Sequence, residues 1–334
     1  MTDNAGLKAI ILQAQAPVFA VLDGAQFDDL PRSLFAADFI HKPLYLDRGN
    51  GTADQLRTAP QLVWLDRDWH DADKDNTGQP RPTSEKMLDR LLDLMGERHA
   101  AVFWFCEAGG DVLFRHLRTI NMILLPTSVD MDRGKAYEPN PLSQTSDDAQ
   151  DADYEMVLFR HADSNVMAQV LPSLTYAHLA RVLGPAQQIL YSADPDWSEK
   201  PMRVSRAEDM PVPPAGPLKL SVEEVRAIEG KREVRSRRKI ATYLRKVAPE
   251  QTTDMNEEEL YQFVYDEERK VKAFGVRRED MIGRWAFMQI TSKTDLSHDK
   301  NVRTAMTNPS LPETPDERIR ILFDLRLRML RESI

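Results

Sequence analysis

A chain of 334 residues with 42% apolar and 29% charged residues has the composition of a folded protein, and it exceeds the roughly 100–150 residues of an ordinary domain, which predicts two lobes. The net charge of −9 is uneven: 24 basic and 21 acidic residues from Leu218 onward give +3, leaving −12 for the residues before it. That balance argues against a dedicated nucleic-acid binder, whose phosphate contacts need a strong basic footprint, and the single cysteine, Cys106, excludes an intramolecular disulfide or a four-cysteine zinc site.

In chain order, the N-terminal stretch is interrupted by Asp3, Gln13, Gln15 and Pro17, so it resembles neither a signal peptide nor an anchor. No apolar run approaches the ~18 residues of a spanning helix. The expectation is a cytoplasmic chain with no membrane partner. PVFAVLDGA (17–25), QLVWLD (61–66), AAVFWFCE (100–107), MILLP (122–126), YEMVLFRH (154–161) and QQILYS (187–192) each carry a short apolar run bounded by polar or breaking residues, the pattern of buried strands. SEKMLDRLLDLMGERH (84–99) and DVLFRHLRTIN (111–121) repeat apolar residues at helical spacing. The lobe is therefore expected to be mixed α/β over residues 1–191. Residues 127–153 are polar and lack periodicity. Residues 192–217 hold six of the 21 prolines and are expected to form a linker.

After Pro217 the pattern turns helical, predicting a smaller all-α lobe over 218–334. Ser221 and Glu224 form a capping-box pattern that opens a helix to about Val247, with Gly230 as a site where it bends or splits. Further helices are expected near 256–274, 278–290 and 316–330, the last with Ile319, Leu322, Leu325 and Met329 on one face.

Several residues invite a chemical reading. In VLFRHADSNVM (157–167), Arg160, His161, Asp163 and Ser164 follow an apolar run, but Asp163 or Ser164 capping a helix through Met167, Val170 and Leu171 alone explains the aspartate and the serine, so no catalytic residues are assigned. No nucleophile elbow, phosphate loop or G-x-G-x-x-G occurs, so no nucleotide cofactor is implied and none of any kind is expected. The acidic stretch 66–85 places Asp71, Asp73 and Asp75 as in a calcium loop. It then fails, with Asn76 at the glycine position and Pro82 at the bidentate glutamate position, so no metal ligands are assigned. Cys106 ends a strand and reads as packing. KREVRSRRKIATYLRK (231–246) holds eight basic residues and one acid, either a solvated helix face or a dock for an acidic partner.

Taken in order, VLDGA (21–25), APQLVWL (59–65), WFCEAGGDVLFRHLRTIN (104–121), LFRHAD (158–163) and LGPAQQILY (183–191) resemble the adaptor chaperones of type VI secretion, which load effectors onto the VgrG spike. FGVRREDMIGRWAFM (274–288) is similar to that family's C-terminal helices. Ala162 and Ser164 stand where an aromatic and a proline are common, and Gln61 where an aromatic often precedes Leu-Val. The resemblance implies a non-enzymatic adaptor with two protein partners, an effector and the VgrG spike. Asp23, Phe159, Arg160 and Asp163 are then architectural, and Arg235, Arg237, Arg238 and Trp285 are expected to contact a partner. A hydrolase or metal-dependent enzyme using the acidic and histidine residues of the first lobe is the alternative.

Overall fold

The computed structural model describes residues 4–45, 51–68, 82–127, 154–198, 200–213 and 215–332. Contacts divide these residues into two units, one up to Glu229 and one from Gly230. The first contains α1 (Asn4–Leu12), β1 (Val18–Leu22), α2 (Leu30–Ala36), β2 (Phe39–Pro43), α3 (Ala53–Thr58), β3 (Gln61–Asp68), α4 (Glu85–Met95), β4 (Ala101–Phe105) and α5 (Gly110–Arg118). It continues through β5 (Met122–Pro126), β6 (Tyr154–Leu158), α6 (Ser164–Val170), α7 (Tyr176–Leu183), β7 (Gln188–Tyr191), β8 (Met202–Ser205) and β9 (Leu218–Lys219). The long helix α8 (Val222–Val247) follows, and then α9 (Pro249–Thr252), α10 (Glu257–Ala273), α11 (Glu279–Ile290), α12 (Lys300–Thr307) and α13 (Pro315–Glu332). The expected mixed α/β region and the smaller helical region are both present.

VFAVL and AVFWF are apolar without interruption because β1 and β4 are buried at every position. They form the centre of a six-stranded sheet of order β2-β3-β1-β4-β7-β8, antiparallel throughout. Successive side chains leave opposite faces of a strand. Val18, Ala20 and Leu22 of β1, with Ala101, Phe103 and Phe105 of β4, therefore share a face, and Leu7 and Ile11 of α1 with Met87, Leu88, Leu91 and Met95 of α4 pack in the same cluster. A separate three-stranded sheet runs β6-β5-β9, with β5 antiparallel to β6 and parallel to β9.

The stretch 192–217 is not a free linker. It carries β8, whose Met202–Ser205 pairs with Gln188–Tyr191, and the Arg206 guanidinium donates to the Gly184 and Ala186 carbonyls. The division falls inside α8, which passes Gly230 without a break. The expected capping box opens that helix: Ser221 Oγ accepts from the Glu224 N–H, and Glu224 accepts from the Ser221 N–H at 2.8 Å.

In the second unit, Leu244 of α8, Leu260, Val264 and Val271 of α10, Ile282 and Trp285 of α11, Met306 of α12 and Ile319 of α13 make one core. On α13 the expected single face divides: Ile319 is buried, whereas Leu325 and Met329 are exposed along with Ile321.

Candidate functional site

Two sequence blocks 137 residues apart meet at Asp23. Asp23 follows β1 and caps the 3-10 turn Gly24–Gln26, accepting from the Ala25 N–H at 3.3 Å and from Gln26 Nε2 at 3.2 Å. Its Oδ2 also receives Arg160 Nη2 at 2.5 Å. The neighbouring glycine is demanded by a close approach, because a Cβ on Gly24 would lie 2.6 Å from the carbonyl oxygens of Thr58 and Ala59. VLDGA is thus a strand end, a cap and a backbone crossing in five residues.

Arg160 is held between two carboxylates, since Asp163 Oδ2 stands 3.4 Å from the same nitrogen. Asp163 caps α6, its Oδ1 accepting from Asn165 N at 2.8 Å and Val166 N at 3.3 Å. Burial pushes the Asp163 carboxyl upward from its ordinary pKa, against the opposing pull of Arg160 and the two amides. Phe159 is buried, with its ring edge-on to His161 at 5.9 Å.

His161 is fully buried, and its ring Nε2 hydrogen-bonds Asn121 Oδ1 at 2.8 Å. Asn121 Nδ2 donates to the Leu44 carbonyl, which leaves Oδ1 as the acceptor and assigns the His161 proton to Nε2. Burial lowers the imidazole pKa to about 3, helped by nearby His116, so His161 is neutral and is no proton carrier near neutrality. Ser164 Oγ turns elsewhere, donating to the Ala101 carbonyl at 2.7 Å. The suggestive run His161, Asp163, Ser164 therefore sends its polar atoms to three different destinations.

The other blocks behave similarly. Gln61 Nε2 donates to the Ala59 carbonyl, so its Oε1 accepts from His41 Nδ1 at 3.1 Å; the departure from an aromatic at this position is a satisfied buried amide. His116 Nε2 donates to the Val182 carbonyl at 2.8 Å. Cys106 Sγ lies 3.8 Å from the Gly109 and Pro185 carbonyls, and burial raises its thiol pKa, which disfavours the nucleophilic thiolate. Of the acidic stretch 66–85, residues 69–81 lie outside the described residues, as does almost all of 127–153. Among the described residues no group of three His, Cys, Asp or Glu side chains is placed to hold a metal, and no helix is long and apolar enough to cross a membrane.

The residues expected to contact a partner divide. Trp285 is completely buried, and its Nε1 donates to Glu267 Oε2 at 2.9 Å, so it belongs to the core. Arg237 also points inward: Nε reaches Glu268 at 2.5 Å, Nη2 reaches Glu233 at 2.9 Å, and the guanidinium lies 4.7 Å from the Tyr265 ring centroid. Desolvation works against that charge, but the two carboxylates overcome it and raise its pKa. Arg235 is half-buried and acts on Glu279, whereas Arg238 is exposed. A count of basic residues does not reveal which side of the helix each one takes.

Three polar clusters were not anticipated. Asn121 bridges His161 to Leu44. Glu224, beyond its cap, accepts from Thr175 N at 2.7 Å and contacts His178 Nδ1 at 2.8 Å. Glu267 and Glu268 are buried on α10. The signal for the last pair was present, because Leu260, Val264, Glu267, Glu268 and Val271 follow one helical stripe.

Compared with protein-family models, with curated proteins and with solved structures, the chain matches none.

Proposed function

We propose that this chain is a non-enzymatic adaptor of the type VI secretion kind, which binds an effector in the cytoplasm and delivers it to the VgrG spike without a cofactor. The observation that supports this reading is the convergence of its motif blocks. Arg160 of LFRHAD pairs with Asp23 of VLDGA and with Asp163, and the adjacent His161 pairs with Asn121 at the end of RTIN. Each polar contact there is spent on a cap, a strand end or a side-chain pair. Such a cluster fixes a scaffold, which suits a protein that works by surface complementarity. A hydrolytic reading built on Ser164 and His161 gains no support from these contacts, since the serine donates to a backbone carbonyl and the histidine to an amide.

Co-expression with the protein encoded beside it tests the proposal. A complex that survives gel filtration at micromolar concentration, and that joins VgrG in a second pull-down, is the expected result. Two folded partners that elute separately under those conditions would refute it.

A further inference from the structure

Between Gly230 and Val247, α8 carries eight basic residues and the single acid Glu233. Some of the eight are turned into the second unit: Arg237 onto Glu268 and Glu233, Arg245 onto the Thr252 and Met255 carbonyls, and half-buried Arg235 toward Glu279. Others are left on the outside. Arg232, Lys239, Tyr243 and Lys246 are all exposed. At about 100° per residue their positions fall within some 60° of one another around the helix, so they form a narrow strip. The cations at 232, 239 and 246 are spaced by two turns, about 10 Å per step, and Tyr243 stands between the last two. Val247, also exposed, widens the apolar end of the strip. Lys239 has one carboxylate of its own, Glu279 at 2.9 Å, in an exposed pair that a second carboxylate can share at little cost.

We propose that this outward strip of α8 docks an acidic amphipathic protein segment, one that presents carboxylates two helical turns apart with an apolar side chain beside the last pair. Charge complementarity selects the sign of the partner. The exposed Tyr243 and Val247 select a protein over a phosphate backbone, which would need a far larger basic footprint than three cations on a chain of net charge −9. The adaptor reading supplies only the source of the segment, an effector; the surface itself is tested without one.

The probe is a labelled synthetic helical peptide with glutamates at every seventh position and a leucine beside the last pair, compared by fluorescence anisotropy with a peptide of the same composition and permuted order. Full-length protein should bind the matched peptide about tenfold more tightly than the permuted one, and less tightly as salt rises. Combining Arg232→Glu, Lys239→Glu and Lys246→Glu should erase that preference. The double variant Arg232→Glu with Lys246→Glu leaves the Glu279 pair intact and should lose most of it, while Tyr243→Ala should weaken binding about tenfold. Equal binding of the permuted peptide, unchanged binding by a folded double variant, or tighter binding of duplex DNA overturns the proposal. Failure to co-purify an effector would sink the adaptor reading and leave this result standing.

Discussion

At the scale of single residues, the LFRHAD block shows how a catalytic-looking sequence becomes architecture. Asp163 supplies two hydrogen bonds to the first turn of α6. Asp163→Ala should therefore cost about 0.5–2 kcal/mol, read from chemical denaturation. Effector binding should weaken only as far as the folded fraction falls; a variant with unchanged stability and no binding would move Asp163 from the scaffold to the interface. His161 gives a test with a defined sign. Its folded pKa of about 3 lies below the ordinary 6.5, so unfolding takes up a proton between those values. The stabilisation is full above about 6.5 and is lost as pH falls, at up to about 1.4 kcal/mol per pH unit. The titration-silent variant His161→Gln should show a shallower fall of melting temperature with acidification across that window. Parallel curves for the two proteins would mean that His161 accepts its proton in the folded state.

At the scale of elements, the most legible parts were those whose burial is uniform. β1 and β4 are read directly from VFAVL and AVFWF because both faces are covered, and the Ser221 and Glu224 box marks the start of α8. β2 and β8 escaped because FIHKP and MRVS are half polar, flanked by prolines or turns, and lie at the sheet's two edges, where one side of the strand need not be apolar. α12 escaped because its only buried residue is Met306. Glycines separate by the same local physics. Gly184 ends α7 with φ of +55°, and a Cβ there would collide with the His116 ring. Gly230 lies inside α8, where a Cβ would meet no neighbouring heavy atom within 4 Å. Gly184→Ala should thus destabilise by more than about 1 kcal/mol through strain and the displaced imidazole, whereas Gly230→Ala should stabilise by about 0.5–1 kcal/mol. Thermal melts of the two variants that move in the same direction would contradict this account.

At the scale of the whole molecule, the question is where one unit ends. Proline content pointed to 192–217, because composition registers turn residues and not the partners that the intervening residues find. Leu218 and Lys219 pair with Ile123 and Leu124 of β5, and the Leu220 N–H donates to the Leu124 carbonyl at 2.9 Å. Leu218, Leu220, Glu224 and Val225 are all buried, and the Glu224 carboxylate receives the Thr175 N–H and meets His178 at the start of α7. Cutting the chain after Pro217 would strip β5 of its parallel neighbour and leave the Thr175 amide without its carboxylate. Each protein hydrogen bond so exchanged for water costs about 0.5–1.5 kcal/mol, and the lost apolar burial adds to that. A cut after Glu229 keeps every one of these contacts, because all the residues that make them precede it. The fragment 1–229 should therefore melt cooperatively and at a higher temperature than the fragment 1–217, with the difference reduced in a Glu224→Ala version of the longer fragment. Equal melting temperatures for the two fragments would return the boundary to the proline-rich stretch and make β9 and the first turns of α8 dispensable to the α/β unit.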